Sequence, residues 1–224
     1  MTILLIPGFM LDADVFTDVR PGLERLGRVI DADTSKDASV AAMAARAIQA
    51  LDGPSLIISF SMGGYIAREI AYRAPDKVAG LALVATSSRA VPTRPAINAA
   101  HFRQVSRSAV ERLLHPDHRT DEMVGRVQAM GMRLGPGVYR RQSQMLREDD
   151  AGRLGEIRCP TLVIAAAQDA LRTTEESETL RDGIEGATMV VIAGCGHLAP
   201  MERPDEFVEA IRTTCGSSLR FLQA

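Results

Sequence analysis

Residues 54–75 read Pro-Ser-Leu-Ile-Ile-Ser-Phe-Ser-Met-Gly-Gly-Tyr-Ile-Ala-Arg-Glu-Ile-Ala-Tyr-Arg-Ala-Pro, and this segment predicts more of the fold than any other. The apolar, β-branched run from Leu56 to Ile58 predicts a buried strand. A helical run follows from about Met62 to Arg73. It ends at Ala74-Pro75, because the residue before a proline disfavours helix. The segment therefore predicts a strand that turns sharply into a helix.

The turn between that strand and that helix carries Ser61 among small residues. Ser59 precedes it, and Gly63 and Gly64 follow it, so little side-chain bulk opposes a tight corner. A strand–turn–helix of this kind is the context of a nucleophile elbow, whose usual motif is G-x-S-x-G. Here Ser59 stands at the first glycine position. The alternative is a small corner serine without a chemical role. We interpret Ser61 as a candidate nucleophile beside a helix N-terminus, where developing negative charge is favoured.

The composition predicts one globular domain. The 224 residues are 46% hydrophobic, 24% charged and 4% aromatic, with no Trp and a net charge of −2. These values argue against nucleic acid as a main partner. No apolar run is long enough to span a membrane and the N-terminus lacks a signal-peptide pattern, so we expect a cytoplasmic protein. The three cysteines have no metal-ligand spacing, and we expect neither a metal site nor a cofactor.

Strands and helices alternate over most of the chain. Apolar runs predict strands at 3–6, 29–30, 56–58, 78–84, 161–165 and 188–192. This alternation predicts an α/β fold with a mostly parallel sheet, helices on both faces, and a ligand site beyond the carboxyl ends of the strands.

Residues 88–152 interrupt the alternation. This segment has 11 Arg and 7 Asp or Glu, a net charge of +4, and predicts short helices at 108–114, 121–132 and 137–147. We interpret it as a helical cap inserted into a core formed by residues 1–87 and 153–224. The positive charge suggests that the cap contacts an anionic part of a substrate, although most of these arginines are expected to be solvated.

A serine hydroxyl needs a general base, and the base needs an acid to orient it. His197 follows the strand at 188–192 in a glycine-flanked loop, and Asp169 lies four residues beyond Ala165. The order Ser…Asp…His at three strand ends predicts His197 as base and Asp169 as orienting acid. The oxyanion needs two backbone donors, for which we predict the N–H groups of Met62 and Phe9.

The other histidines have no evident role in this set. His101, His115 and His118 lie in the inserted segment. The spacing of His115 and His118 could suit a metal ion, but no third ligand is evident. We interpret this pair as exposed surface residues.

These motifs together resemble the α/β-hydrolase superfamily, and more narrowly the small bacterial esterase, thioesterase and C–C hydrolase members. The matching pieces are Leu5-Ile-Pro-Gly-Phe9, Ser59-Phe-Ser-Met-Gly-Gly64, Ala71-Tyr-Arg-Ala-Pro-Asp-Lys-Val78, Leu81-Ala-Leu-Val84, Pro160-Thr-Leu-Val-Ile164 with Asp169, and Gly196-His-Leu-Ala-Pro-Met-Glu-Arg-Pro204. The resemblance implies Ser61, His197 and Asp169 as triad, Phe9 and Met62 as oxyanion donors, and a cap at 88–152. Pro7, where a histidine is usual, and Ser59 depart from the pattern.

The resemblance also implies a sheet of about six strands without the first two usual strands. The exposed early edge of that sheet leaves room for a second subunit, as in a homodimer. We expect hydrolysis of a small ester or thioester through an acyl-enzyme. One alternative is C–C hydrolysis of a β-diketone-like compound; another is a ligand-binding protein that does not turn over its ligand.

Overall fold

The computed structural model describes residues 1–93, 102 and 104–219, and for residues 214–219 it describes the backbone only. Residues 94–101, 103 and 220–224 lie outside the described part. His101 and part of the predicted cap are among them.

Six strands form a single sheet. They are β1 (Thr2–Ile6), β2 (Arg28–Asp31), β3 (Ser55–Phe60), β4 (Val78–Val84), β5 (Thr161–Ala166) and β6 (Thr188–Ile192). Their order is β2-β1-β3-β4-β5-β6, and every pair of neighbours is parallel. The predicted six-stranded sheet is therefore confirmed, and its carboxyl ends all lie at one edge.

The helices cover both faces of this sheet. They are α1 (Arg20–Glu24), α2 (Val40–Gln49), α3 (Gly63–Arg73), α4 (Arg107–Glu111), α5 (Asp121–Gln144), α6 (Thr174–Gly183), α7 (Ala199–Glu202) and α8 (Pro204–Leu219). Apolar side chains of α2, α3 and α6 form one core, and those of α1, α5 and α8 belong to the other. Strand residues alternate between the cores because successive side chains point to opposite faces, as Leu4 and Leu5 do.

Three helical elements differ from the sequence prediction. The helices predicted at 121–132 and 137–147 are consecutive parts of α5, which is interrupted at Gly135 (φ +72°) before Pro136. The helix predicted at 108–114 is shorter, because α4 ends at Glu111, and the one-turn helix α7 was not predicted. None of the helices in the described ranges has the length and hydropathy needed to cross a membrane.

Three arginines of the inserted segment, residues 88–152, bind residues of the core. Arg126 pairs with Asp18 at 2.8 Å, and Arg133 pairs with Asp12 at 2.9 Å. Arg141 donates to the Ser35 carbonyl oxygen at 2.5 Å. Arg133 is exposed and Arg126 and Arg141 are partly buried, so the expectation that most arginines of this segment are solvated stays a prediction. These three hold α5 against loops that follow β1 and β2, which leaves less of the positive charge for an anionic substrate.

A buried ion pair joins the C-terminal end of the inserted segment to α3. The Arg68 side chain on α3 is fully buried, and its Nε and Nη2 donate to the two carboxylate oxygens of Asp150 at 2.6 and 2.9 Å. Arg68 Nη2 also donates to the Ser87 carbonyl oxygen, and the Tyr72 hydroxyl donates to Asp150. A bidentate pair of this kind fixes geometry as well as charge.

Replacing Asp150 by alanine should destabilise the fold strongly, because it leaves the Arg68 guanidinium buried without its counter-charge. Loss of one partner of a buried pair typically costs about 3–5 kcal/mol. Urea unfolding of Asp150→Ala, beside the exposed control Glu148→Ala, measures this loss. The double variant Arg68→Met/Asp150→Ala should recover part of the lost free energy of unfolding. A loss for Asp150→Ala no larger than that of the control would contradict the assignment.

Candidate active site

Ser61 lies at the turn between β3 and α3. Its φ is +52°, a left-handed conformation that costs energy in a residue other than glycine and is common at functional sites. Its N–H donates to the Val84 carbonyl oxygen at 2.8 Å. A Cβ on Gly63 would lie 2.5 Å from the Ile6 carbonyl oxygen, and one on Gly64 would lie 2.3 Å from Thr86 Oγ1. Glycine is therefore required on the helix side of the turn.

Ser59 shows why glycine is not required on the strand side. Its side chain is fully buried, and its Oγ donates to the Ala82 carbonyl oxygen at 3.0 Å on the neighbouring strand. The hydroxyl fits between β3 and β4 with its hydrogen bond satisfied. The departure from G-x-S-x-G thus leaves the turn intact.

Three side chains from three strand ends form a continuous chain of hydrogen bonds. His197 Nε2 lies 2.9 Å from Ser61 Oγ, and His197 Nδ1 lies 2.7 Å from Asp169 Oδ2. Ser61 follows β3, Asp169 follows β5 and His197 follows β6. The residues predicted from their order in the sequence are thus brought together by the common edge of the sheet.

The surroundings of Asp169 fix the orientation of the imidazole. Asp169 Oδ1 accepts from the N–H groups of Leu171 at 2.7 Å and Arg172 at 3.0 Å. Oδ2 is left for His197, and a carboxylate oxygen can only accept, so Nδ1 carries the hydrogen. Nε2 then presents its lone pair to the Ser61 hydroxyl. An imidazole held in this tautomer can take a proton from the serine.

The arrangement is shielded from solvent. Ser61 is 8% exposed and His197 is 3% exposed, and the ring of Phe60 lies 5.0 Å from the imidazole, centroid to centroid. Cys195 is a buried thiol two residues before His197. Burial, reinforced by the carboxylates of Glu202 and Asp169, raises the pKa of the Cys195 thiol. A thiol that is kept protonated in this way is a poor nucleophile.

The turn after β1 packs closely against Ser61. A Cβ on Gly8 would lie 3.2 Å from Ser61 Cβ, closer than an ordinary van der Waals contact, so glycine favours this close approach. Met62 directly precedes α3, and its N–H has no hydrogen-bond acceptor among the described residues. A developing oxyanion beside Ser61 could use such a donor. The assignment of Met62 and Phe9 as the two donors stays a prediction.

Gln142 of α5 supports the turn after β1, and no sequence motif predicted this contact. Its Oε1 accepts from the Met10 N–H at 2.8 Å, its Nε2 donates to the Thr34 carbonyl oxygen, and its side chain is fully buried. Met10 has φ +54°, so this backbone is held in a strained conformation directly after Phe9. Pro7 occupies the position where a histidine is usual, and Gln142 provides a hydrogen bond to the turn.

The interpretation of His115 and His118 as exposed surface residues is wrong. Their side chains are 19% and 25% exposed, and His118 Nδ1 lies 3.0 Å from Glu202 Oε2. Glu202 itself is fully buried, and no sequence argument had given it a role. Within the described ranges, no group of three or more His, Cys, Asp or Glu side chains could hold a metal ion.

Comparison with known proteins agrees with this fold. The model of the alpha/beta hydrolase family matches residues 3–210. The chain belongs to the alpha/beta hydrolase family. A thermophilic esterase from Thermogutta terrifontis superposes with a TM-score of 0.85 at 28% identity, over 97% of this chain and 90% of that one.

Two further proteins are similar to this hydrolase along nearly its whole length. A pimeloyl-[acyl-carrier protein] methyl ester esterase of Neisseria meningitidis is 25% identical over 97% of this chain and 94% of its own length. The enol-lactonase from Burkholderia xenovorans has a TM-score of 0.82 at 18% identity over 96% of this chain and 91% of its own, which shows the fold alone. This chain is an esterase-like hydrolase.

Gln142→Leu should destabilise this hydrolase and slow ester hydrolysis, because it removes the acceptor of a buried backbone N–H beside Phe9. An unsatisfied buried donor costs about 1–3 kcal/mol. Gln128→Leu is the matched control: it lies on the same helix, and its amide donates to the Val105 carbonyl oxygen, remote in sequence from that turn. Urea unfolding and steady-state kinetics of both variants check this. An equal loss of turnover in both would contradict a specific role for Gln142.

Proposed function

We propose that this hydrolase cleaves small carboxylic esters or thioesters through an acyl-enzyme on Ser61. The observation that carries the proposal is the unbroken hydrogen-bond chain from Ser61 Oγ through His197 to Asp169, at 2.9 and 2.7 Å. A serine hydroxyl becomes an effective nucleophile only when such a base is within hydrogen-bond reach.

In the acylation half, His197 Nε2 takes the proton of Ser61 as Oγ attacks the carbonyl carbon. Asp169 stabilises the imidazolium that forms and keeps Nδ1 protonated. The N–H groups of Met62 and Phe9 receive the oxyanion of the tetrahedral intermediate. The C–O or C–S bond then breaks, and His197 returns its proton to the departing alcohol or thiol, leaving an ester on Ser61.

In the deacylation half, His197 takes a proton from water, which attacks the acyl carbon of that ester. The second tetrahedral intermediate collapses, and His197 protonates Ser61 Oγ as the carboxylic acid leaves. These steps use the residues of this chain and water, and no cofactor is needed. Each step begins and ends with Asp169 as a carboxylate.

The comparisons favour an ester over a C–C bond. The relatives similar to this chain along nearly its whole length include a methyl ester esterase and a thermophilic esterase. The side chain of Phe9 packs edge-on against Tyr139 of α5 with ring centroids 5.9 Å apart, and Phe102 stacks on Tyr139 at 4.4 Å. This aromatic group beside the predicted oxyanion turn suits an apolar acyl chain. We propose that residues 88–152 form the cap over Ser61.

The direct test is a p-nitrophenyl ester series from acetate to octanoate. We expect turnover by the wild type and a fall in kcat/KM of at least about 10³-fold for Ser61→Ala, because removing a triad nucleophile leaves only binding and oxyanion stabilisation. Ser108→Ala, an exposed serine on α4, is the control and should match the wild type. Failure of the wild type to hydrolyse any ester, or full activity in Ser61→Ala, would refute the proposal.

Asp169→Asn tests the orienting role separately. The amide can donate to Nδ1, so it favours the tautomer with the hydrogen on Nε2, which cannot accept the serine proton. In serine proteases the equivalent change costs about 10⁴-fold in kcat. We expect a loss of kcat of that order with KM little changed, measured on the best ester of the series. Glu175→Gln, an exposed acid on α6, provides the control; a comparable effect there would remove the argument for Asp169.

A further inference from the structure

Glu202 binds the backbone on both sides of His197. Its Oε1 accepts from the Leu198 N–H at 3.0 Å, and its Oε2 accepts from the Gly196 N–H at 3.1 Å. These two N–H groups flank His197 in the chain. The carboxylate therefore spans the loop that carries the imidazole, and its side chain is fully buried while doing so.

The same carboxylate also binds the inserted segment. Oε2 accepts from the His115 N–H at 2.7 Å and from His118 Nδ1 at 3.0 Å. Glu202 thus accepts four hydrogen bonds, two from each segment. Such bonds to a charged acceptor are roughly twice as strong as neutral ones, and a buried carboxylate is tolerated only with partners of this kind.

The backbones of the two segments are also in direct contact. The His197 N–H donates to the Leu113 carbonyl oxygen at 2.6 Å. A Cβ on Gly196 would lie 2.5 Å from the His115 nitrogen and 2.6 Å from the Leu113 carbonyl oxygen. The close approach thus depends on the absence of a side chain at Gly196.

We propose that Glu202 is a positioning residue for His197, and that it acts together with residues 113–118 of the inserted segment. Glu202 and the Leu113 carbonyl oxygen fix the backbone from Gly196 to Leu198, and this backbone sets where the imidazole meets Ser61. The inference rests on the proposed function, because positioning is defined by the proton transfer between Ser61 and His197.

Glu202 does not act as an acid or base in the reaction. Its oxygens are occupied by the four donors of the loop and the inserted segment, and none of them is Ser61, His197 Nε2 or another reacting atom. Its effect must therefore pass through the geometry of His197. A displacement of about 1 Å at a reacting group can cost about 10²-fold in rate, so loosening this loop should be visible in kcat.

Glu202→Gln is the first variant to test. It keeps the shape of the side chain but replaces one accepting oxygen by an NH₂ group, which then faces a backbone N–H. We expect kcat for a p-nitrophenyl ester to fall roughly 10- to 100-fold, with KM within about threefold of the wild type. The rate at which a fluorophosphonate labels Ser61 should fall in proportion. Glu206→Gln is the control, since Glu206 is an exposed acid on α8 that pairs with Arg203.

His118 variants test the inserted segment without changing the carboxylate. His118→Phe removes the donor to Glu202 and should lower kcat and the labelling rate. His118→Asn can place an amide N–H near the position of Nδ1 and should restore much of both. Rescue by the conservative variant separates positioning from a general loss of packing, and it keeps the test open if Glu202→Gln does not fold.

The outcomes separate this inference from the proposed function. Unchanged kcat and labelling rate in folded Glu202→Gln would overturn the positioning role while leaving the serine mechanism in place. If the wild type is neither labelled nor active on esters, the proposed function fails, and the proton resonance of the His197 Nδ1–H becomes the readout. A shift or broadening of that resonance in Glu202→Gln, absent in Glu206→Gln, would support positioning, and an unchanged resonance would overturn it.

Discussion

The turn from β3 into α3 is the constraint on which the rest of this hydrolase depends. Gly63 and Gly64 leave no space for a Cβ against Ile6 and Thr86, so α3 packs directly onto β1 and the end of β4. This close packing forces Ser61 into a left-handed conformation at φ +52°. This strained conformation places the serine beside the first N–H groups of a helix, where negative charge is stabilised.

The sheet alone brings Ser61, Asp169 and His197 to one edge. Residues of the inserted segment bind the loops on two sides of this site. On one side, Gln142 binds the Met10 N–H in the turn after β1. On the other, the Leu113 carbonyl oxygen binds the His197 N–H. Arg126 and Arg133 form ion pairs with Asp18 and Asp12, which lie outside the inserted segment. We propose that these residues affect the reactivity of the site, although they would touch neither the scissile bond nor the oxyanion.

Features that depend on local patterns could be predicted from the sequence. Apolar runs predicted the six strands, and the small residues around Ser61 predicted the turn and the candidate nucleophile. Contacts between distant segments that do not follow from the order of the strand ends could not be predicted in this way. The hydrogen bond from Met10 to Gln142 spans 132 positions, and the one from His118 to Glu202 spans 84. No local periodicity encodes such a pairing, so Gln142 and Glu202 were missed and His118 was interpreted as a surface residue.

The central claim is that ester cleavage passes through a covalent bond to Ser61. Rapid mixing of the enzyme with excess p-nitrophenyl ester, followed by an acid quench and mass spectrometry of the protein, tests it most directly. We expect the mass of the protein to increase by the mass of the acyl group, in the peptide that contains Ser61. This acylated protein should form together with the first equivalent of p-nitrophenolate. Release of p-nitrophenolate without an acylated protein, or an acyl group on another residue, would contradict it.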